Sequence, residues 1–398
     1  MEPTQVLPLV NLSNADLVTA AAGIQCLDLA SQECKHHALF RNIPLPKLES
    51  VTIDASEDNS SGRLLEPYLQ PKLRVFEFFG GVLDDQFLRD LAVSFCDTNF
   101  MREELTTGQE KCPLLEEVLI DNPREVVTPG GFLRFLEGAK KLKRVVLMYG
   151  MERLITREVF CELSSRSCLE ILGIGGVVSE DFVVAARVRT NGQDLFPGLL
   201  GLTCTGSAAG TLLLSKDLKN LARAEIILVG SAVNFLGRFS QACPELEYLC
   251  VTYTCTPTHI EIPPREILVI PRSLPKLTHL FLTGKITSPS LQDEHIIAFA
   301  KDFAQNVKVL RLGFRETRLT EKSLIHLGQR LGSTLVECEL VGRFEIDGLG
   351  GGAVLFPVLK ELALREAVEW KERGQELVTG WAPEVEDVQF WTGFGEFE

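Results

Sequence analysis

The residues of this chain that carry the most chemistry are eleven cysteines, six histidines and a glycine run, Gly348-Leu349-Gly350-Gly351-Gly352-Ala353. Thiolates and imidazoles at close spacing hold zinc, and a G-x-G-x-x-A run that opens onto a helix N-terminus receives a pyrophosphate. Neither spacing is present. Cys26, Cys34, His36 and His37 come nearest to a metal cluster, but they lack the C-x₂₋₄-C pair that zinc sites use. The glycine run is followed within five residues by Pro357 and then by a strand pattern, so it reads as a turn. His259, His279, His295 and His326 are scattered, and the G-x-S-x-G, H-E-x-x-H, P-loop and C-x-x-C motifs are missing from the sequence. The expectation is a protein that is not an enzyme, with no catalytic residues, no cofactor and no metal.

The elements that position these residues come from one apolar signature, L-x-x-L-x-L, returning about fourteen times. Clear copies are Leu115-x-x-Val118-x-Ile120, Leu246-x-x-Leu249-x-Val251, Leu277-x-x-Leu280-x-Leu282 and Leu359-x-x-Leu362-x-Leu364. From Ile24 to Val385 the first apolar positions cover 361 residues in thirteen steps, a mean period just under 28, with one blurred copy near Leu221 or Ala224. The second and third apolar residues lie two apart and so share one face of an extended strand. No unit of this size buries such a face alone, so the units must stack and align their strands in parallel. Between strands the chain reads as amphipathic helix, as in Asp84–Ala92 with Phe87, Leu88 and Leu91 on one side, and other helices start near Thr128, Thr156, Ser179, Ser290 and Thr320. Thr156, Ser179 and Thr320 are expected N-caps. A doubly wound open sheet also alternates strand and helix, but it does not keep one strand motif in phase over 398 residues. The predicted fold is α/β: a leucine-rich repeat solenoid, or horseshoe, with a parallel sheet on its concave face and helices on its convex face.

This predicts one continuous repeat domain over residues 24–391, an N-terminal cap over 1–23 and an acidic tail over 392–398. Two steps are too long for a bare repeat, which places insertions near 97–111 and 254–272, the latter with Pro257, Pro263, Pro264 and Pro271. Trp370, Trp381 and Trp391 crowd the last thirty residues and suit a C-terminal cap. The first thirty residues lack a secretory leader and no apolar run approaches eighteen residues, so a cytoplasmic or nuclear protein with reduced thiols is expected. Asn11-Leu12-Ser13 and Asn59-Ser60-Ser61 are then expected to stay unmodified. The formal net charge of −14 argues against a nucleic-acid partner and favours a protein with a basic surface. The one dense basic cluster, Lys140-Lys141-Leu142-Lys143-Arg144, reads as a helix end running into a strand, with a nuclear import signal as the second reading.

Cys112-Pro113-x-Leu115-x-x-Val118-x-Ile120 and Cys243-Pro244-x-Leu246-x-x-Leu249-x-Val251 resemble the cysteine-containing repeats of F-box/leucine-rich repeat proteins, in a fungal style. The resemblance covers roughly Ile24 to Trp391. It implies a substrate-recognition region of a ubiquitin-ligase receptor, in which an F-box docks a Skp-type adaptor ahead of the repeats. Here twenty-three residues precede Ile24, whereas three helices of average length need roughly 35, so the F-box is not visible and this chain is not expected to bind the adaptor. The alternative is a free-standing scaffold or inhibitor unrelated to ubiquitin transfer; a small-molecule receptor or enzyme using the glycine-rich middle of the sheet is the distant one.

The residues beside the strand leucines form the inner wall. They begin with Glu77, Glu117 and Asp121, pass through Arg144, Val146 and Met148 to Gly173, Gly175, Gly201, Thr203 and Thr205, and end with Glu337, Glu339, Glu361, Arg365, Asp387, Gln389 and Trp391. Between them stand Tyr248, Cys250, His279, Phe281 and Arg311, the predicted partner-binding residues, because aromatic residues and Arg concentrate where interfaces bind most tightly. The competing reading of these five is a tolerated solvent-facing surface.

Overall fold

In a computed structural model of the chain the described residues are 14–29, 43–55, 65, 67–92, 112–124, 127–230, 232, 234–254, 259–303, 306–344, 354–365 and 374–391. The strands are β1 (Cys26–Leu29), β2 (Ser50–Asp54), β3 (Val75–Phe79), β4 (Glu117–Asp121), β5 (Arg144–Leu147), β6 (Ile171–Val178), β7 (Gly201–Ser207), β8 (Arg223–Val229), β9 (Tyr248–Tyr253), β10 (Ile260–Glu261), β11 (His279–Gly284), β12 (Ile286–Thr287), β13 (Val309–Leu312), β14 (Glu337–Val341), β15 (Glu361–Arg365) and β16 (Asp387–Trp391). All but β10 and β12 belong to one sheet that keeps chain order, and β10 pairs with β12 in a second, two-stranded one. Each of the fourteen apolar copies therefore supplies one strand of the main sheet.

Two compact units divide the chain, the first of residues 1–177 and 181–199, the second of 178–180 and 200–398. In the first, β1 to β5 pair in parallel with Leu27, Val51, Phe76, Val118 and Val145 in one row, all buried. Phe76 packs on Phe87 of the Asp85–Ala92 helix, ring centroids 5.4 Å apart, so the buried side of the strands is the side the helices cover. In the second unit the same row runs Leu202, Ala224, Leu249, Leu280, Leu310, Cys338 and Leu362. The blurred copy is β8: Leu221 takes the first apolar position and Ala224 the second, and both are fully buried. Cys112, Cys243 and Cys338 are buried, with Cys243 Sγ 3.8 Å from the Ser215 carbonyl. Burial pushes the Cys243 and Cys338 thiols up to about 12, so both pack as small apolar groups.

The helices are tied to one another by carboxylates. Thr128, Thr156 and Thr320 cap the helices that begin at Pro129, Arg157 and Glu321. A neighbouring helix then reaches two of these caps. Asp85 accepts hydrogen bonds from Thr128 N and Oγ1 at 2.7 and 2.6 Å, and Asp293 accepts from Thr320 N and Oγ1 at 2.8 and 2.7 Å and from Ser323 Oγ at 2.6 Å.

Some expectations change in detail. The helix expected to start near Ser290 runs Asp293–Asp302, with Gln292 as its cap. The 254–272 segment is not a bare insertion: beyond residues 255–258, which are outside the described set, it holds β10 and the Pro264–Ser273 helix. Pro264 sits at the first helical position, where a missing N–H costs nothing, so prolines that read as a loop start a helix. Glu266 of that helix accepts from the backbone N–H of Asn234 and Leu236 at 2.8 and 3.1 Å, capping the helix before it. At the end of β11, Gly284 has φ +98°, and any Cβ there would strike the Tyr253 backbone. The 97–111 insertion, the glycine run, Cys34, His36, His37, both glycosylation acceptors, Trp370 and the 392–398 tail lie outside the described residues.

Burial by itself would raise the Asp293 carboxyl, but the hydrogen bonds from Ser323 and Thr320 outweigh it and hold the group below its usual range. A carboxylate depressed in the folded state contributes stability that is fully present above its unfolded value near 3.8 and is lost as pH falls through the folded value. Asp293→Ala should therefore destabilise the protein by about 1–2 kcal/mol at pH 7. In urea titrations its deficit should shrink below pH 3.8. A deficit constant from pH 7 to pH 3 would contradict the capping role.

Candidate functional site

Alternation leaves one side of the sheet open in the second unit, and register decides which side chains meet there. Arg223, Tyr248, His279, Val309 and Glu337 stand in one row across β8, β9, β11, β13 and β14. Glu225, Cys250, Phe281, Arg311 and Glu339 stand in the next. All five predicted binding residues thus fall together, each half-buried, over a buried row of Leu249, Leu280 and Leu310.

Three rings make the centre. The Tyr248 centroid lies 5.7 Å from that of His279 and 5.3 Å from that of Phe281, at interplanar angles of 32° and 37°. A guanidinium stands at each end, Arg223 at 3.9 Å from the Tyr248 centroid and Arg311 at 5.5 Å from that of Phe281. Arg223 pairs with Glu225, and Arg311 pairs with Glu337 at 2.7 Å and Glu361 at 3.3 Å. Thr203 Oγ1 also donates to Glu225, and Thr252 and Thr283 share a hydrogen bond of 3.2 Å beyond Cys250.

These contacts set protonation. Burial, then Cys250 and Glu225, push the Tyr248 hydroxyl up to about 12. Burial raises the Cys250 thiol, which leaves it a poor nucleophile. Thr278 Oγ1 donates its one hydrogen to the Glu247 carbonyl at 2.9 Å while lying 2.7 Å from His279 Nδ1. Burial, Lys308 and Arg223 depress the imidazole, against Glu337, so His279 is neutral at pH 7.

Arg223 and Glu225 were missed in the sequence because they sit in the blurred copy. Choosing Leu221 over Ala224 as its first position places them in phase with Tyr248 and Cys250. The acidic strands of the first unit read differently in three dimensions: Arg144 Nη1 lies 3.3 Å from both Glu77 and Glu117, and Thr52 Oγ1 donates to Glu77. The basic cluster follows a helix that ends at Gly138, and its Lys143 pairs with Glu116 at 3.5 Å. Among the described residues no His, Cys, Asp and Glu converge as an ion-binding group, and no helix is long and apolar enough to cross a membrane.

No protein-family model matches the sequence, and no curated protein does. The chain is similar to the crystal structure of a Rad7 and Elc1 complex from yeast, at 14% identity over 96% of this chain and 84% of that one, with a TM-score of 0.52. It also aligns with the plant peptide hormone receptor RGFR1 in complex with RGF2, at 14% identity over 87% of this chain and 48% of that one, TM-score 0.36. A third alignment is with an internalin, InlF, from Listeria monocytogenes, at 12% identity over 73% and 79%, TM-score 0.38. At 14% identity and a TM-score of 0.52, the likeness to the Rad7 and Elc1 structure is one of fold alone. That fold is the leucine-rich repeat.

His279 should titrate below its ordinary value of 6.5 in histidine-selective NMR. Lys308→Gln should move it up and Glu337→Gln further down. Because the unfolded chain binds this proton more readily, the group's contribution makes the folded state lose stability as pH falls through 6.5. Titration at or above 6.5 would mean that the ring is not held in the cluster.

Proposed function

We propose that this chain is a protein-interaction module and that the open face of β8 to β14 is its recognition surface. The observation that carries the reading is the in-register set Arg223, Tyr248, His279, Phe281 and Arg311, three rings between two guanidiniums on a buried apolar floor. Such residues supply large contact area with few rotatable bonds, and strands hold them without help from a partner. The net charge of −14 favours a partner with a basic surface. Similarity to a structure of Rad7 bound to Elc1 supports a binding role for the fold. The finer reading, a substrate-recognition domain of the F-box/ubiquitin-ligase type acting inside the cell, rests on the Cys112 and Cys243 repeat motifs.

Truncating the open face should leave the fold intact while weakening binding. Tyr248→Ala, Phe281→Ala and Arg311→Ala should each reduce recovery of a co-purifying partner, quantified by mass spectrometry, with a loss of affinity of roughly thirtyfold, or about 2 kcal/mol, for a side chain that fills a partner pocket. Glu137→Ala, an exposed change on the Pro129–Gly138 helix, should leave recovery unchanged. Normal melts with undiminished recovery in all three would move the binding surface elsewhere.

A further inference from the structure

In the first unit the last residue of β4, Asp121, stands on the side of the sheet that the helices leave open. It is half-buried between Phe79, its register partner on β3, and Met148, which follows the last residue of β5. The Tyr149 backbone N–H favours its charged form, but Oδ1 is buried and finds no hydrogen-bond partner among the described residues. The fold brings a second carboxylate toward it. A Cβ at Gly176 would lie 2.9 Å from the Glu152 carbonyl oxygen and 2.8 Å from Ile155 Cβ, so the glycine admits the Glu152–Leu154 turn against β6. Glu152 then lies over Gly175, its Cγ 3.6 Å from where a Cβ would stand, and Gly150 N donates to its Oε1 at 3.2 Å.

Nothing offsets this charge. Burial raises the Asp121 carboxyl above its ordinary 3.8, the Tyr149 N–H offsets that only in part, and Glu152 raises it again. No cation acts on it among the described residues: Arg124, three residues on, does not, and Arg144, the guanidinium of this face, is shared by Glu77 and Glu117 at 3.3 Å from each. Like charges held together around a buried oxygen cost stability until a cation arrives. We propose that this end of the first unit's open face docks a basic segment of a protein partner, with a lysine or arginine side chain of that segment seated between Asp121 and Glu152. Phe79 and Met148 would cover the apolar stem of such a side chain, and Tyr149, 70% exposed, offers a ring to its charge. A metal ion fits less well, because calcium takes at least six oxygens and no third carboxylate, His or Cys joins the pair among the described residues. An acidic segment would be repelled, and an apolar one would leave Oδ1 unpaired. These residues belong to the first unit and owe nothing to the reading of β8 to β14.

The test is fluorescence anisotropy of the whole chain with two labelled twelve-residue peptides, one alternating glycine with lysine and arginine, the other alternating glycine with glutamate. At about 150 mM salt, attraction to distant surface charge is largely screened. The basic peptide should bind and the acidic one should not. Asp121→Asn, which keeps size and shape, should weaken the basic peptide about tenfold, Glu152→Gln severalfold, and the exposed helix change Glu137→Gln by less than twofold. Thermal melts supply a second readout: because Asp121→Asn removes a like-charge repulsion, the free variant should melt at or above the wild-type temperature. A melt several degrees lower would mark a structural carboxylate and overturn the inference. Undiminished binding by Asp121→Asn would overturn it too, leaving only general attraction to an acidic chain, as would absence of binding. If about 1 mM calcium raised the wild-type melt and not that of Asp121→Asn, the pair would hold an ion instead, which also overturns the inference.

Discussion

The structure depends on the lateral burial of strand residues by their neighbours in a parallel ladder. Each repeat carries a handful of apolar side chains, such as Leu246, Leu249 and Val251, and cannot remove them from water alone. Once Leu249 must lie between Ala224 and Leu280, register is set, because a slip of one residue would turn the whole apolar set toward solvent. The open face is then set as well. Tyr248, His279 and Phe281 meet because the leucines beside them cannot be anywhere else.

The helix layer solves a second problem with polar groups. Every helix start leaves backbone N–H groups without partners, and burying them against a neighbour would be costly. Here the neighbouring helix supplies the acceptor: Asp85 serves the Thr128 cap, Asp293 the Thr320 cap and Glu266 the helix beginning at Phe235. Arg166 does the converse at a helix C-terminus, donating to the Ala139 carbonyl at 2.7 Å and to that of Leu136 while pairing with Glu162. Each contact is also a join between repeats, so satisfying the helix ends and stacking the units are one event.

On the open face the same geometry brings charge into order. Like charges face each other across β14, β15 and β16, where Glu337, Glu361 and Asp387 are register partners, an arrangement that costs stability unless cations intervene. Arg311 intervenes between the first two, and Arg144 plays the equivalent part for Glu77 and Glu117 in the first unit. Surface pairs of this kind contribute little to stability. Their consequence is positional, since they fix where a guanidinium lies and which ring surfaces remain open.

Strand positions, the parallel order of the sheet and the side on which Tyr248, Cys250, His279, Phe281 and Arg311 stand were all determined by the sequence, because the L-x-x-L-x-L spacing couples local alternation to burial. The same spacing placed Cys338 in the core, and the residue types at helix starts gave the caps at Thr156 and Thr320, whereas the Thr128 cap was legible only as a helix start. Where apolar spacing weakens, the sequence was less informative: Ala224 blurred β8 and hid Arg223 and Glu225, and the prolines before Glu266 concealed a helix. Tertiary structure alone decided the partners of long polar side chains. Asp293 finds Thr320, Arg144 finds two glutamates and Arg311 leans from Phe281 toward Glu337 through space, between residues tens of positions apart. Apolar burial follows a period that one strand can display, whereas a charge chooses its partner only after the strands have been laid side by side.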